Sequence, residues 1–331
     1  MATLYLTEQG AKITRTQTRL IVEKDGKLLL QLPIIKLDRL IIFGRVAITI
    51  PVLELLLKEG IPTAFLSQTG RLKGFLEPMP SKNILLRIRQ YERVKDELFR
   101  TEIAKSIVSG KIRNQKRLLQ RFSHNHPELN FNSELTQIDS HIEALNKKNS
   151  LTGILGMEGI ATAIYFQGFA KLFKEPIQFL ERTRRPPKDI INSLLSLGYT
   201  LLTNEYFSLT AASGFDPYIG FYHGIGYGRP SLALDLVEEL RHPVIDMLTL
   251  ELIMRQMLKA EDFTGNEDEG FFLTADGRKT FFTQYERRMN NEFLHPKNKT
   301  PTTIRKVMRE QVYSMMRAVE SKKPYEPFLI G

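Results

Sequence analysis

The chain has 331 residues, of which 42% are hydrophobic and 25% are charged, and its net charge is +10. This composition is typical of folded proteins, and the length suffices for two domains. Because cysteine is absent, disulfides and thiolate-held metal clusters are excluded, and any metal must be held by histidine and oxygen ligands. No apolar run approaches the roughly 18 residues that span a bilayer, and the start lacks a secretory pattern. The sequence therefore predicts a cytoplasmic protein without a membrane segment.

Residues 1–80 have the pattern of a small β-rich domain. Apolar runs flank the dipeptide Asp25-Gly26, which suits a type I′ hairpin turn, and a second hairpin is predicted with its turn near Thr69-Gly70. Residues 52–59 lie between a proline and a glycine and are predicted to form one short helix. The segment 77–83, EPMPSKN, contains two prolines and is predicted to be the linker that follows this domain.

From Ile84 onward the apolar residues recur with the period of helices, so residues 81–331 are predicted to form a larger, all-α domain. One exception is predicted at Asp276-Gly277, where a small hairpin or tight turn would precede a helix. The last ten residues are expected to form an irregular tail. The two domains together give an α+β fold. The predicted helices cover residues 84–109, 111–122, 134–147, 154–174, 188–210, 231–256, 278–293 and 301–320.

Positive charge is concentrated in residues 71–121, which contain 14 basic and five acidic residues. Such an excess is the expected footprint of phosphate neutralisation, so it predicts nucleic-acid binding, with Arg87, Arg89 and Arg93 as candidate contacts. The alternative is a solvated helix face whose charges pair within the helix. The basic residues of the stretch are Arg71, Lys73, Lys82, Arg87, Arg89, Arg93, Lys95, Arg100, Lys105, Lys111, Arg113, Lys116, Arg117 and Arg121.

The segment 220–246 joins a glycine-flanked histidine, His223, to a predicted acidic helix. In that helix Asp235 precedes Glu238 by three residues and Glu239 by four, so their carboxylates share one flank. Nearby carboxylates repel each other, and a divalent cation relieves the repulsion. The GIGYGR run lacks the Lys-Ser/Thr of a P-loop, so nucleotide binding is not predicted. The segment predicts half of a metal site; the alternative is a solvent-facing acidic pair beside a structural histidine.

Glu158 lies among three glycines at the start of a predicted helix, in GILGMEGIATAIYFQGF. Glycine is a poor helix former, so the pattern indicates close approach of another helix or of a phosphodiester backbone near a metal. Together with His223 and a carboxylate of the acidic helix, Glu158 would give a mixed oxygen and nitrogen ligand set. Such a set suits Mn²⁺ or Mg²⁺.

Three segments of the chain resemble the CRISPR-associated integrase family of spacer acquisition, the first of the universal CRISPR-associated protein families. They are GMEGIATAIYFQGF, RTRRPPKDIINSLLSLGYTLLTNEYF and GFYHGIGYGRPSLALDLVEELRHPVID. The closing pattern TIRKVMREQVYSMMRAV is also similar, so the resemblance covers residues 150–320. The first 80 residues agree with the family in architecture.

The resemblance implies one divalent metal, Mn²⁺ or Mg²⁺, held by Glu158, His223 and a carboxylate of the following helix. Alignment on Asp235 makes Glu238 the third ligand, and Glu239 is the alternative. Asp235 matches a second acidic position beside the metal and is counted with the catalytic residues. Residues 81–331 would then be the metal-dependent catalytic domain.

The resemblance further implies DNA as the substrate and a protein assembly around it. Arg184, Arg185 and Arg229 match family patterns and would contact nucleic acid or fix the site, with structural ion pairing as an equal alternative. Residues 1–80 would provide dimerisation and partner contacts. The expected assembly is a homodimer that associates with a small ferredoxin-like CRISPR-associated partner protein.

The implied function is that of a metal-dependent DNA endonuclease and integrase, which inserts short DNA fragments into a CRISPR array by 3′-hydroxyl attack on a phosphodiester. Two other functions remain open. One is a general metal-dependent nuclease or resolvase that acts on branched DNA. The other is a non-catalytic nucleic-acid-binding scaffold whose acidic cluster is structural.

Overall fold

A computed structural model describes residues 2–77 and 83–331 of the chain. The chain divides into two compact units, Met1–Ser81 and Lys82–Gly331. Most of the predicted linker, including both of its prolines, falls at positions 78–82 and lies outside the described residues.

The N-terminal unit contains two four-stranded sheets and one helix. The first sheet has the strand order β1-β5-β7-β8, and only β8 is antiparallel to its neighbour. The second sheet has the order β4-β3-β2-β6. The elements are β1 (Ala2–Leu6), β2 (Lys12–Thr16), β3 (Arg19–Lys24), β4 (Lys27–Pro33), β5 (Leu37–Phe43), β6 (Ala47–Ile48), α1 (Ile50–Lys58), β7 (Thr63–Leu66) and β8 (Leu72–Leu76).

Both predicted hairpins are present in this unit. β3 and β4 pair antiparallel around Asp25 and Gly26, which have φ values of 50° and 73°, as a type I′ turn requires. β7 and β8 pair antiparallel around a turn that contains Gly70 at φ 90°. The two sheets and α1 share one apolar core, which includes Leu6, Ile13, Leu20, Val22, Leu40, Ile42, Val52 and Leu56.

The C-terminal unit is built from nine α-helices and two short hairpins among the residues from 83 onward. The α+β fold class predicted from the sequence, a β-rich N-terminal part followed by a helical C-terminal part, is therefore confirmed; the helical part holds two short hairpins where one hairpin or tight turn was predicted. The elements are α2 (Ile84–Arg93), α3 (Glu97–Asn125), α4 (Asn132–Asn146), α5 (Leu151–Ala170), α6 (Ile190–Ser213), α7 (Ser231–Leu240), α8 (Met247–Met254), β9 (Phe263–Asn266), β10 (Gly270–Leu273), α9 (Ala275–Asn290), β11 (Phe293–Leu294), β12 (Pro301–Thr302) and α10 (Ile304–Ser321).

The boundary between the first two helices of this unit differs from the predicted one at Gly110. Helix α3 runs through Gly110, and the break lies earlier, at 94–96, where the Asp96 side chain accepts a hydrogen bond from Phe99 N and caps α3. A side chain at position 110 would overlap Pro327 of the C-terminal tail. Glycine is therefore retained there for packing and does not end the helix.

The turn predicted at Asp276-Gly277 is instead the first turn of α9. The Thr274 hydroxyl accepts a hydrogen bond from Gly277 N, which is an N-cap interaction. The hairpin lies just before it, where β9 pairs with β10. A small hairpin therefore does precede the helix, but its turn lies between β9 and β10 and not at Asp276-Gly277.

The helix predicted for residues 231–256 is interrupted in the structure. Residues 241–246 form a π-helical segment between α7 and α8, a rare conformation that is often associated with functional sites. The tail after α10 has no regular secondary structure, as predicted. Among the helices of the described residues, none has the length and apolarity needed to cross a bilayer.

Candidate metal centre

Helix α7 brings three carboxylates into the interior of the helical unit. Nine of its ten residues are buried, and Asp235, Glu238 and Glu239 are at most 2% exposed. A buried carboxylate needs charged or hydrogen-bonding partners, because the loss of hydration is costly. Each of the three acquires a different set of partners, which separates their roles.

Asp235 binds the backbone of the loop that carries the candidate histidine. Its carboxylate accepts hydrogen bonds from the amides of Phe221 at 2.6 Å, Tyr222 at 3.0 Å and His223 at 2.8 Å. The loop approaches α7 closely, and a Cβ at Gly220 would lie 2.8 Å from Asp235 Oδ2. Asp235 therefore fixes the position of the loop on α7.

His223 is oriented by the same aspartate. Its Nδ1 lies 2.8 Å from Asp235 Oδ1, and its Nε2 lies 3.8 Å from Glu238 Oε1. A proton on Nδ1 that is donated to Asp235 leaves the lone pair of Nε2 free. Carboxylate–histidine pairs orient metal-binding imidazoles in this way.

Glu158 reaches the same place from α5. The Thr162 hydroxyl, one turn further along the helix, donates a hydrogen bond to Glu158 Oε1 at 2.9 Å. The Glu158 side chain is 18% exposed, whereas that of Glu238 is 3% exposed. The structure thus brings the three predicted ligands together, with Glu158 on the open side.

The ammonium group of Lys111 lies between the two glutamates. Lys111 Nζ is 2.6 Å from Glu238 Oε2 and also pairs with Glu158 Oε1, and its side chain is only 4% exposed. Arg241 adds a second cation, with Nη2 3.2 Å from Glu238 Oε1. As the side chains stand, no three His, Asp or Glu groups within residues 2–77 and 83–331 are grouped to hold a metal.

These cations keep both glutamates ionised. Burial opposes ionisation of Glu238, but Arg241, Lys111 and His223 outweigh it and hold its pKa well below the usual range. Burial likewise opposes ionisation of Glu158, yet Lys111 and the hydrogen bond from Thr162 lower its pKa despite repulsion from Glu238. Deprotonated carboxylates are the form that binds metal ions.

The donor set fits a divalent cation. Two ionised carboxylates face the position now taken by the Lys111 ammonium, and an imidazole nitrogen lies beside one of them, so the site already attracts a positive charge. Glu238 Oε2 is buried and has no hydrogen-bond partner among the described residues, although it is ion-paired with Lys111. Oxygen and imidazole ligands suit Mn²⁺, and Mg²⁺ accepts the oxygen ligands.

Glu239 faces away from this centre. Its carboxylate accepts hydrogen bonds from the Tyr325 hydroxyl and from Phe328 N, both in the C-terminal tail. Burial raises the pKa of Glu239 to about 8, although these hydrogen bonds oppose the rise. The two candidates for the third ligand thus lie in separate environments.

The arginines predicted to contact nucleic acid fall into two groups. Arg89 and Arg93 donate to the carbonyls of Glu320 and Val319, the last turn of α10, and so cap that helix. Arg87 is half-buried on α2. The other group consists of Arg184, Arg185 and Arg229, which are exposed, as Arg89 also is.

Three residues of the site were missed in the sequence. Lys111 is one of 14 basic residues in its stretch, yet it shares a helix face with the buried Ile107 and Leu118, which is an unusual position for a lysine. Thr162 follows Glu158 by four residues and Arg241 follows Glu238 by three, spacings that place side chains together on a helix. These two spacings would have identified Thr162 as a neighbour of Glu158 and Arg241 as a neighbour of Glu238.

Sequence comparisons agree with this architecture. A family model described as CRISPR associated protein Cas1 matches residues 4–287. CRISPR-associated endonuclease Cas1 3 of Thermus thermophilus is 33% identical over 330 residues, covering 98% of this chain and 94% of that protein. CRISPR-associated endonuclease Cas1 of Leptospira interrogans is 38% identical over 253 residues, covering 74% of this chain and 99% of that protein.

Solved structures share the fold over the whole chain. A casposase bound to its integration product has a TM-score of 0.88 at 25% identity and covers 99% of this chain and 93% of its own. A CAS1 protein from Thermotoga maritima has a TM-score of 0.83 at 24% identity, with coverages of 100% and 99%. A chain of a Cas6-RT-Cas1–Cas2 complex has a TM-score of 0.84 at 26% identity; the match covers 98% of this chain and 36% of that one. The family model and the curated relatives establish that the chain belongs to the CRISPR-associated endonuclease Cas1 family.

Proposed function

We propose that the chain is a metal-dependent DNA endonuclease and integrase that inserts short DNA fragments into a CRISPR array. The observation that carries this proposal is that Glu158 and Glu238 meet at one buried ammonium group while His223 Nε2 lies 3.8 Å from Glu238 Oε1. The similarity to a casposase bound to an integration product supports DNA strand transfer as the reaction. In that reaction a fragment 3′-hydroxyl attacks a phosphodiester of the array, and attack by water at the same site gives nuclease activity.

Glu158, His223 and Glu238 would hold Mn²⁺ or Mg²⁺. When bound, the ion supplies positive charge that stabilises the transition state of an in-line displacement at phosphorus. Asp235 acts on the proposed ligands indirectly. It holds the His223 loop on α7 and accepts a hydrogen bond from the protonated Nδ1 of His223, so that the Nε2 lone pair stays available to bind a metal. Glu158 lies at the exposed edge of the set, which is the side open to a phosphate group.

DNA would approach this open edge along exposed basic residues. We assign Arg184, Arg185 and Arg229 to phosphate contacts, because their side chains are exposed. Substitution of both Arg184 and Arg185 by alanine should weaken DNA binding and reduce the slope of log affinity against log salt by about 0.9 for each lost contact. An unchanged slope would remove these residues from the DNA-binding surface.

The proposed assembly is a cytoplasmic homodimer that works with a small ferredoxin-like CRISPR-associated partner. The similarity to a chain of a Cas6-RT-Cas1–Cas2 complex supports association with other CRISPR proteins. We assign dimerisation and partner contacts to the β-rich domain 1–80 and catalysis to the helical domain 81–331. The linker is assigned to the segment 77–83, which spans this boundary.

A strand-transfer assay tests the proposal. Purified protein, supercoiled array plasmid, fragment DNA, Mn²⁺ and the candidate partner should yield integrated product. Glu158→Gln, His223→Ala and Glu238→Gln should each reduce the product to background, whereas Glu239→Gln should retain it. Normal transfer by Glu238→Gln together with loss in Glu239→Gln would contradict the ligand assignment.

The 3′ end of the fragment DNA distinguishes an integrase from a resolvase. Fragment DNA that ends in a 3′-deoxynucleotide lacks the attacking group, so an integrase should give no product with it. A branched-DNA resolvase would cleave its substrate equally with either donor. Equal activity with both donors would therefore favour the resolvase.

A non-catalytic nucleic-acid scaffold is the second candidate. It is favoured by one observation, that Lys111 and Arg241 already neutralise the buried Glu238 without any metal. A ligand that binds the native state raises its melting temperature. Titration with Mn²⁺ should therefore raise the melting temperature of the wild-type protein and leave that of Glu158→Gln little changed; no rise in the wild type at millimolar Mn²⁺ would favour the scaffold.

A further inference from the structure

We propose that Gln115 on α3 is a positioning residue for the Glu158 carboxylate, acting through a chain of buried hydrogen bonds behind the candidate metal centre. The inference rests on the proposed function, since it concerns how one proposed metal ligand is oriented. The chain runs through Asp246, His242, Gln115, Thr162 and Glu158.

The chain begins at Asp246, a fully buried carboxylate in the π-helical segment 241–246. It accepts hydrogen bonds from Tyr165 at 2.9 Å, Tyr199 at 2.5 Å and His242 Nδ1 at 2.7 Å. Burial and the charge of Asp246 raise the pKa of both tyrosines well above the usual range, so both remain neutral donors. Three donors therefore fix this carboxylate, and through it the His242 ring.

His242 determines the orientation of the Gln115 amide. With its proton on Nδ1, the ring presents an acceptor at Nε2, which lies 2.9 Å from Gln115 Nε2. The same amide nitrogen lies 3.1 Å from Thr162 Oγ1. An amide nitrogen carries two protons, so one can go to each acceptor. The reversed amide would place an oxygen against the Nε2 lone pair of His242 and would compete with Glu158 for the Thr162 hydroxyl proton.

Gln115 in turn determines where the Thr162 proton points. The hydroxyl has a single proton, and because Gln115 occupies its oxygen as a donor, that proton is free to go to Glu158 Oε1 at 2.9 Å. Gln115 is fully buried, and its own amide oxygen has no partner among the described residues. A buried amide oxygen without a hydrogen bond costs stability. We therefore assign the positioning role of Gln115 to the two hydrogen bonds from its amide nitrogen.

The hydrogen bond from Thr162 therefore helps to orient Glu158, the most exposed of the three proposed ligands. Glu158 is 18% exposed, so its carboxylate is freer to rotate than that of the buried Glu238. The bond from Thr162 holds the Glu158 oxygen that also pairs with Lys111, the ammonium shared with Glu238. Loss of such an outer hydrogen bond typically lowers metal affinity or activity by roughly ten- to hundredfold.

Two near-isosteric substitutions test the inference by direct measurement of Mn²⁺ affinity, by calorimetry on the full chain. Thr162→Val and Gln115→Leu should each weaken Mn²⁺ binding by roughly tenfold or more. Thr162→Ser keeps the hydroxyl and should bind Mn²⁺ as the wild type does. Because both act through one bond to Glu158, the double variant should bind Mn²⁺ no more weakly than the worse single variant. Wild-type affinity in both single variants, or additive losses in the double variant, would overturn the inference.

Matched variants separate this outcome from misfolding and from failure of the proposed function. Thr210→Val removes a fully buried hydroxyl that donates only to carbonyls of its own helix, so it should bind Mn²⁺ like the wild type. Glu158→Gln tests the metal site itself: if it binds Mn²⁺ normally, the proposed function fails. If Glu158→Gln loses Mn²⁺ while Thr162→Val and Gln115→Leu retain it, only the positioning role is wrong.

Discussion

Lys111 is the residue that sets the charge balance of the candidate site. It is buried between two ionised glutamates, at the position that the proposed function assigns to a divalent cation. In metal-free protein it stabilises the fold, because removal of one partner from a buried ion pair leaves an uncompensated charge. With metal present, the same ammonium competes for the carboxylates.

Lys111→Met should therefore affect metal-free and metal-bound protein in opposite directions. Without metal, we expect a loss of about 3 kcal/mol in the free energy of unfolding. With saturating Mn²⁺, the rise in melting temperature should be larger than in the wild type. Lys116→Met, on the same helix but paired at the surface with Asp139, is the control and should change neither quantity much. An equal Mn²⁺-induced rise in Lys111→Met and wild type would show that Lys111 does not compete with metal.

Glu239 differs from its neighbour in its proton affinity. Burial raises its pKa from 4.5 to about 8. A neutral Glu239 can donate its proton to the Tyr325 hydroxyl, which then donates to Gln311 at 2.8 Å. The folded chain thus holds a proton between pH 4.5 and 8 that the unfolded chain releases, so this group's contribution to stability is full below pH 4.5 and is lost as the pH rises towards 8.

Glu239→Gln should remove this pH dependence, because the amide resembles the neutral acid at every pH. Relative to the wild type, the variant should gain about 1.4 kcal/mol of stability per pH unit within the window from pH 4.5 to 8. Urea unfolding at pH 5, 6, 7 and 8 measures the difference, and Glu143→Gln at an exposed position of α4 should show none. A difference that stays constant with pH would mean that Glu239 is ionised in the folded protein.

At the scale of elements, the C-terminal tail ties α3 to α7. Asn114 of α3 donates to the carbonyls of Glu239 and Phe328, both at 2.9 Å, and accepts a bond from Ile330 N. Gly110, one turn earlier on α3, packs against Pro327. The tail therefore has no secondary structure of its own and yet joins the helices that carry Lys111 and Glu238.

Gly110→Ala tests whether the tail is docked in this way. Within a helix, alanine is more stable than glycine by about 1 kcal/mol, but here the added methyl group would overlap Pro327, and overpacking costs about 1–3 kcal/mol. We expect a net loss of stability and faster trypsin cleavage after Lys322. Gly156→Ala on α5 is the control, since its methyl group would meet no atom of the described residues within 4 Å and should stabilise the helix. Stabilisation by Gly110→Ala would contradict the docking.

Periodicity predicted most elements because it reports on which face of a segment is buried. It placed α5, α6 and α10 well, and the Asp25-Gly26 dipeptide fixed one hairpin through its backbone conformation. It was wrong at Gly110 and at Asp276-Gly277, where residues typical of turns lie inside helices. The reasons are a contact with Pro327 and a cap by Thr274, and both depend on structure that local composition does not encode.

Part of the candidate site could be predicted from the sequence for a related reason. The glycines and acidic spacing around His223 pointed to the residues that the fold brings close together, because chemistry restricts which residue types can hold a cation. Lys111 and Gln115 were not found, since each lies 47 residues from its partner on α5, and α3 ends more than 100 residues before α7 begins. Long-range contacts of this kind follow from helix packing, which the sequence of one helix does not determine.

At the scale of the whole molecule, one sheet of the N-terminal unit has an edge strand that no other described strand pairs with on its outer side. β4 is at the edge of its sheet, and neighbouring side chains on a strand point to opposite faces. Leu28 and Leu29 are nevertheless both exposed, by 62% and 49%, and Ile35 beyond the strand is 86% exposed. Exposed apolar residues along an open edge favour pairing with another chain.

Charges at this edge should therefore separate the proposed homodimer. We expect the double variant Leu28→Lys, Leu29→Glu to elute as a monomer in light-scattering chromatography under conditions in which the wild type is a dimer, because burying charges in an interface costs more than the contact returns. Leu57→Glu, at an exposed position of α1, is the control and should stay dimeric. A double variant that remains a dimer would move the interface to another surface. If it becomes a monomer that still binds Mn²⁺ with wild-type affinity, then the metal centre is complete within one chain, and dimerisation serves the placement of DNA and not the chemistry.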